Sequence, residues 1–413
     1  MEKVETKRKF QFFFVLGKRI NLEAMLFELA RIFLRLGAVS FGGPLAHIAL
    51  MRSEFVDKRG WLSEQEFLDL NGAVNLIPGP NSTELAMHIG YKRAGNAGLW
   101  LAGACFIFPA LVLVLIFAAL YAKFGQVPQS RAILWGIAPV VSAIVGQALL
   151  KFAPSALKNR FSQVVAILSF VAAMFGASEI AIVFSAALLG ALLALLSTKN
   201  EGETPLFRSS KSKIAVVPIL LATHSIGSTS AVFWSFLKIG SVIYGSGYVL
   251  LAYMRAEFVE KAALISDRQL LDAVAVGQMT PGPLFTSATF VGYQIGGLAG
   301  ALAATAGIFL PSFLFVMLIA RFLQRLSDSP RARTFLDSVN AASLALMTLV
   351  TLQLARAAFF RPEPLHWHQI DGQQLDFRAT LIFGLAGVLL WKTRFNSAWW
   401  IAGGGLIGLI FGP

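Results

Sequence analysis

"NLIPGPNSTELAMHIGYKRAG" (75–95) contains the triplet Pro78, Gly79 and Pro80, which an uninterrupted helix cannot accommodate. Pro78 disfavours helical angles in the residue before it, Gly79 permits a sharp turn, and Pro80 suits the first position of a new helix. Within a membrane, such a break is stable only where protein or a water-filled cavity covers the freed backbone groups. The segment therefore predicts a broken helix at a functional site, with a ligand-free proline kink as the alternative.

The composition around this segment is that of a helical membrane protein. Hydrophobic residues make up 56% of the 413-residue chain and charged residues 14%, with a mean hydropathy of +0.68, whereas soluble domains carry about 25% charged residues. Apolar runs at 97–120, 178–197 and 300–320 reach the roughly 20 residues that cross a bilayer. The alternating pattern of an outer-membrane barrel is absent. We therefore predict an all-α polytopic membrane protein.

The net charge of +13 comes from 35 basic and 22 acidic residues. Because the basic residues lie between apolar runs, as in cytoplasmic loops, no nucleic-acid partner is expected, and part of the charge favours an anionic solute. Six basic and two acidic residues among the first 19 predict a cytoplasmic, interfacial segment at 1–21. The lone Cys105 excludes an intramolecular disulfide and a cysteine-only metal site, and we expect neither a metal nor a cofactor.

An internal repeat connects the Pro-Gly-Pro triplet with a second copy at 281–283. A shift of 203 residues aligns 33–80 with 236–283 without a gap, and 18 of the 48 positions are identical. We predict two homologous halves at 22–197 and 214–413, joined by a polar linker at 198–213. Broken helices at matching positions of two halves are typical of transporters built from inverted repeats, and we predict that arrangement here.

The helix start after each Pro-Gly-Pro triplet is a candidate anion site, because its first N–H groups have no intrahelical acceptors and carry the positive end of the helix dipole. The first start adds side-chain donors, and the second is poorer in them. The candidate substrate-binding residues come from both triplets, their flanks, the glycine-rich "FGGPLAH" (41–47) and two repeated arginines, for which interface anchoring is the alternative. They are Gly42, Gly43, His47, Arg52, Pro78, Gly79, Pro80, Asn81, Ser82, Thr83, Arg255, Thr280, Pro281, Gly282, Pro283 and Thr286.

Four ionisable residues are candidates for proton coupling. Glu84 and His88 are four apart and share a helical face, and ionisable groups inside a membrane segment are functional candidates. The second half has serine and valine at those positions, so a local polar contact is equally open. Asp69 and Asp272 are repeated in both halves, where helix capping or ion pairing is the alternative. The two histidines of "HWH" (366–368) are expected in an exposed turn, because no third metal ligand is nearby.

Two long stretches, 42–110 and 245–313, closely resemble the two-domain members of the chromate ion transporter family. The "GGP" at 42–44 and both Pro-Gly-Pro triplets match the family's characteristic positions, while "AALIS" (262–266) departs from the Gly-Trp-Leu form at 60–62. The resemblance implies a multi-pass bacterial inner-membrane protein that exports chromate, is driven by the proton gradient and confers resistance. It also implies two domains of opposite orientation. Independently of the resemblance, a homodimer is one possible assembly.

Two other functions compete with chromate export. A sulfate or related oxyanion importer or exchanger would use the same anion chemistry, because sulfate and chromate share shape and charge. A membrane-embedded enzyme would need a clustered acid, base and nucleophile, whereas the repeats supply only two aspartates. A reductase would need a dinucleotide-binding fingerprint or a cysteine pair, and the sequence contains neither. We therefore do not expect an enzyme.

Overall fold

The computed structural model describes residues 22–197, 228–245, 247–320, 330–362, 373–393 and 395–412. The predicted N-terminal segment at 1–21, the linker at 198–213 and the histidines of 366–368 lie outside the described residues.

The first half forms α1 (22–39), α2 (Pro44–Arg52), α3 (Glu64–Val74), α4 (Asn81–Phe124), α5 (Pro128–Ala156), α6 (Arg160–Met174) and α7 (Glu179–Ser197). The second half forms α8 (Thr229–Val242), α9 (Leu250–Met254), α10 (Asp267–Met279), α11 (Ser287–Ile319), α12 (Pro330–Phe359), α13 (Phe377–Lys392) and α14 (Ser397–Phe411). Wider π-helical turns follow α2 and α9, at Ser53–Lys58 and Arg255–Lys261, and 3-10 turns occupy Gly247–Val249 and Leu284–Thr286.

The predicted all-α polytopic fold is confirmed. Four described helices are long and apolar enough to cross a membrane: Asn81–Phe124, Pro128–Ala156, Leu284–Ile319 and Arg333–Phe359. The one addition is a short antiparallel pair, β1 (Phe360–Pro362) with β2 (Gln373–Leu375). The strands hold three residues each, too few for a period-two pattern to reveal them in the sequence.

Helix α4 is a hairpin, because its 44 residues would extend about 66 Å as one straight helix, twice the hydrocarbon core of roughly 30 Å. Ala94 and Gly95 leave helical geometry, and Gly95 adopts a φ of 58°. Beyond this turn the chain returns along itself, since a Cβ on Gly90 would collide with the carbonyl oxygen of Gly98. The short arm (81–93) is about 20 Å long and does not cross the bilayer core.

Helix α11 repeats this hairpin in the second half. Gly296 and Gly297 have φ/ψ of −139°/25° and 59°/−148°, against −139°/26° and 58°/−147° in the first hairpin. The hydroxyl oxygens of Thr289 and Thr305 lie 2.7 Å apart across 16 residues, which a continuous helix would separate by about 24 Å. Each Pro-Gly-Pro triplet therefore precedes a short helical arm that turns back inside the protein.

Two hydrogen bonds connect the breaks of one half with the breaks of the other. The Gly79 N–H donates to the Ile243 carbonyl, and the Gly282 N–H donates to the Ser40 carbonyl, both at 2.8 Å. Because the donors and the acceptors are each 203 positions apart, the two bonds are reciprocal. Such an exchange is what a two-fold axis between the halves produces, and the inverted direction of that axis stays a prediction.

The inverted arrangement predicts opposite exposure of two equivalent lysines. Lys58 and Lys261 lie at the ends of the two π-helical turns, and their side chains are 66% and 55% exposed. In a Cys105→Ser background, we expect Lys58→Cys and Lys261→Cys to react with a membrane-impermeant maleimide from opposite sides of the membrane. Labelling of both positions from the same side would contradict inverted repeats, and the cysteine-free background is the control.

Candidate functional site

One cavity of about 660 Å³ is lined by residues from the four breaks of the two halves. The glycine break before α2, the start of α4, the break before α9 and the start of α11 all contribute to its wall. The polar residues of the wall and the neighbouring break residues are His47, Asn81, Ser82, Gln147, Lys151, Tyr248, Gln278, Thr393, Asn396, Ser397, Gly42, Gly43, Gly79, Pro80 and Pro283. The structure thus brings together seven of the residues predicted to bind substrate at the first half's breaks, and Pro283 from the second half.

His47 joins three of these breaks. Its Nε2 lies 3.1 Å from the Ser40 carbonyl oxygen, and its Nδ1 lies 3.0 Å from the Ser82 hydroxyl. Because a carbonyl can only accept, Nε2 carries a proton, and in neutral His47 the Ser82 hydroxyl donates to Nδ1. The same Ser40 carbonyl accepts the N–H of Gly282. His47 therefore orients a hydroxyl of the first helix start while it is bonded to the backbone group that holds the second triplet.

Both the close packing and the backbone conformation at position 79 require a glycine. Its φ of 140° lies in a region that side chains rarely adopt, and a Cβ there would collide with the Ser312 hydroxyl and the Glu84 carboxylate. Ser312 belongs to the long arm of α11, so the first triplet packs against the second half. Gly282 has a φ of 94°, and its Cβ would meet that of Ala110 in α4 at 2.8 Å. Each triplet thus packs against the long arm of the opposite hairpin.

The two helix starts differ in the donors they offer. At the first, Asn81 and Ser82 line the cavity, and their N–H groups precede the helical hydrogen-bond ladder. The Thr83 N–H was expected to be free, but it donates to the Pro80 carbonyl at 2.8 Å. This is the 3-10 pattern common at helix ends.

The second helix start was predicted to offer fewer side-chain hydrogen-bond donors, and the structure shows why. The Thr286 hydroxyl donates to the Pro283 carbonyl at 2.8 Å, and the Thr280 hydroxyl donates to the Val276 carbonyl at 3.0 Å. Both hydroxyls are therefore occupied locally. Leu284 and Phe285 present apolar side chains to the cavity.

Glu84 and His88 are buried behind the cavity and do not line it. Glu84 is fully buried and His88 is 2% exposed. Neither carboxylate oxygen of Glu84, nor Nε2 of His88, has a hydrogen-bond partner among the described residues. A buried polar group without partners is costly, and Glu84 and His88 therefore stay candidates for a functional role.

The structure does not bring Arg52 and Arg255 to the cavity, although both were predicted to bind substrate. Arg52 donates to Glu64 at 2.6 and 2.8 Å, and Arg255 donates to Asp267 at 2.7 and 3.1 Å. The Arg52 guanidinium holds the pKa of the Glu64 carboxyl below its usual value. One bidentate pair connects the end of α2 with the start of α3, and the other connects the π-helical turn after α9 with the start of α10.

The repeated aspartates have different surroundings in the two halves. Asp69 is exposed and accepts a hydrogen bond from Gln65 at 2.8 Å. Asp272 is 2% exposed and accepts a hydrogen bond from the Tyr121 hydroxyl at 2.8 Å. Of the two repeated aspartates, only Asp272 is isolated from solvent. Across the described ranges, no three His, Cys, Asp or Glu side chains gather closely enough to hold a metal ion.

Lys151 is a cavity residue that the sequence did not single out, because the basic residues as a group were expected in loops between apolar runs. It belongs to α5 and lines the cavity together with Gln147 one turn earlier. The spacing of four residues was readable in the sequence, but nothing local indicated that this face of α5 packs beside the breaks. Thr393, Asn396 and Ser397 were missed for the same reason, because the connection between α13 and α14 reaches the site only through tertiary packing.

Comparison with known proteins matches both halves to one family model. The model describes chromate transporters and matches residues 27–191 and 230–409. The chain belongs to the chromate transporter family. No solved structure matches this chain.

Family relatives resemble the chain over nearly its whole length. A chromate transport protein of Pseudomonas aeruginosa is 31% identical, with 92% of this chain and 91% of the relative covered. A chromate transport protein of Cupriavidus metallidurans is 27% identical, with coverages of 94% and 93%. A probable chromate transport protein of Synechococcus elongatus is 25% identical, with coverages of 80% and 84%. The chain is therefore a multi-pass membrane protein of a transporter family.

Gly79→Ala is expected to abolish transport, and Gly60→Ala is its matched control. Both glycines have positive φ, 140° and 59°, but only a Cβ at Gly79 collides with neighbouring side chains, whereas Gly60 has open space. Adopting a left-handed angle costs a non-glycine residue about 1–2 kcal/mol, so Gly60→Ala should melt slightly lower and still transport. Melting temperature in detergent and chromate flux in vesicles measure the two effects. Wild-type melting and flux in Gly79→Ala would contradict this account of the turn.

Proposed function

We propose that this protein is a secondary active transporter that exports chromate from the cytoplasm across a bacterial inner membrane, coupled to the proton gradient. The observation that carries the proposal is the convergence of both Pro-Gly-Pro helix starts and both glycine breaks on one cavity. Breaks in matching positions of two halves are the usual location of a transporter's substrate site. Relatives named as chromate transport proteins support the choice of substrate.

The cavity is suited to a tetrahedral oxyanion. Helix N-termini bind anions through their free N–H groups and the positive end of the dipole. At the first start, the Asn81 amide keeps a second N–H besides the one that it donates to Asn75, and the Ser82 hydroxyl, which donates to neutral His47, lies beside it. Other elements of the wall add the polar side chains of Lys151, Tyr248 and Asn396, and together such groups would replace the hydration shell of an oxyanion. Sulfate has the same shape and charge as chromate, so it is expected to compete for the site.

Glu84 is the group we assign to the coupling proton. It is fully buried, and its carboxylate lies against Gly79 at the turn that precedes the anion-binding helix start. Two like charges about 4 Å apart repel by roughly 4 kcal/mol at an effective dielectric of ~20. A charged Glu84 would therefore weaken anion binding, so its protonation state would control when the cavity holds the anion. Export driven by inward proton flow further requires the anion and the proton to cross the membrane in opposite steps of the cycle. Ser312 beside it connects the same position to the second half.

Movement between the halves would link the two events. The reciprocal hydrogen bonds of Gly79 and Gly282 hold each triplet on the opposite half. Relative motion of the halves would therefore displace both helix starts together and change which side of the membrane the cavity faces. Proton binding at Glu84 would alter the contact of Gly79 with Ser312, which lies on the moving surface.

Chromate accumulation in inverted membrane vesicles is the first test. We expect uptake into the lumen when the lumen is acidified, its loss on addition of a protonophore, and inhibition by excess sulfate. Vesicles from cells without the protein are the control. Accumulation driven by the opposite pH gradient would identify an importer, and sulfate uptake without chromate uptake would favour the sulfate alternative.

Glu84→Gln tests the coupling residue. The neutral variant should bind chromate with a flatter pH dependence, because the titrating group is gone, but should lose at least about tenfold of its gradient-driven accumulation. Asp69→Asn removes an exposed carboxylate on α3 and should leave accumulation unchanged. Full gradient-driven transport by Glu84→Gln would return Glu84 to a structural role.

A further inference from the structure

We propose that Lys151 supplies the positive charge that pairs with the divalent oxyanion in the cavity, and thereby selects dianions over monoanions. The inference rests on the proposed oxyanion transport and adds the residue that determines charge selectivity. It follows from the position of Lys151, from the charges around it and from the difference between the two halves.

One face of α5 forms a wall of the cavity. Ile144, Gln147, Ala148, Lys151 and Phe152 line it, at the spacings of three, four, seven and eight residues that share a helical face. Lys151 is exposed to solvent, while its neighbour Phe152 is only partly so. The ammonium group is therefore carried by a continuous helix, and its flexible stem gives it access to the space between the broken segments.

Lys151 is the one residue with a permanent charge among the described residues that line the cavity. No carboxylate is among those lining residues, and no ion pair to Lys151 occurs within the described ranges. Lys158, just beyond the end of the same helix, does not line the cavity, and its ammonium group donates to Asp337 at 2.9 Å. Most other basic side chains near the breaks form ion pairs with carboxylates, as Arg52 does with Glu64. An unpaired ammonium beside two helix starts gives the cavity a net positive charge.

The second half does not duplicate this charge. A shift of 202 residues, which aligns Gly90 with Gly292, aligns Lys151 with Gln353. Gln353 lines a different cavity, beside Arg255 and Arg356. The ammonium is therefore a feature of one half, like the donors of the first helix start, and it lies on the same cavity as they do. Replacement of Lys151 by glutamine installs the side chain that the second half carries at the corresponding position.

The charge of the ligand determines the expected effect. Coulomb attraction scales with the product of the two charges, so a dianion gains about twice as much as a monoanion from the same ammonium. Sulfate stays divalent throughout the neutral range, and perchlorate is a monovalent tetrahedral anion. Loss of Lys151 should therefore weaken the binding of sulfate and chromate more than that of perchlorate. A role in packing alone would change the affinities of the three anions equally.

The test is equilibrium binding of radiolabelled chromate to the purified full-length protein, with displacement by sulfate and by perchlorate. We expect Lys151→Gln to raise the Kd for chromate and sulfate roughly tenfold or more, the range for a hydrogen bond to a charged group, with a smaller loss for perchlorate. Lys151→Arg, which keeps the charge, should retain most of the affinity. Lys158→Gln, which removes a lysine outside the cavity, should bind like the wild type. Lys151→Met replaces Lys151→Gln in the comparison if the glutamine variant does not fold, as judged by its melting temperature.

The outcomes separate the two proposals. Wild-type affinity of Lys151→Gln and Lys151→Met for chromate and sulfate, with the wild-type protein binding both, would overturn the role of Lys151 and leave the proposed function intact. An equal loss for sulfate and perchlorate would also overturn it, because charge selectivity would then reside elsewhere. Failure of the wild-type protein to bind any of these oxyanions would overturn the proposed function, and the role of Lys151 with it.

Discussion

The fold depends on the pairing of backbone groups that two broken helices leave open. An unpaired N–H or C=O in the hydrocarbon region costs several kcal/mol, and each Pro-Gly-Pro triplet creates such groups. The protein satisfies them across its two halves, through Gly79 with Ile243 and Gly282 with Ser40. Neither half can make these bonds alone. The cavity therefore exists only where both halves meet, and the break that forms the site also joins the halves.

Close packing of backbone against backbone supports this junction. A Cβ on Gly37 would collide with the carbonyl oxygen of Phe106 in the hairpin of α4, and a Cβ on Gly240 would collide with that of Ile308 in α11. The helix before each glycine break is thus seated against the long arm of its own hairpin. Small residues at such crossings let helices approach when the lipid offers no hydrophobic driving force. The breaks are held in place by rigid neighbours on both sides.

The two halves share a backbone and differ in chemistry. His47, Asn81, Ser82 and Glu84 of the first half correspond, at the shift of 203, to leucine, leucine, phenylalanine and serine in the second. The second helix start therefore presents apolar side chains to the cavity, while the polar residues gather around the first. Lys151 increases this difference. The matching breaks thus supply the geometry of the cavity, and the groups that we propose for anion and proton binding are concentrated on one side of it.

The sequence by itself determined the membrane class, the two matching breaks and most of the polar groups beside the first triplet, because proline, glycine and hydropathy act locally. It also indicated the family. Tertiary structure decided that Arg52 and Arg255 brace turns rather than bind substrate, since their carboxylate partners lie 12 residues away across a turn. It also decided that Asp272 is buried while Asp69 is exposed, and that Lys151 reaches the cavity. Those outcomes depend on which helix faces pack together, a property of the assembled protein that no local pattern encodes.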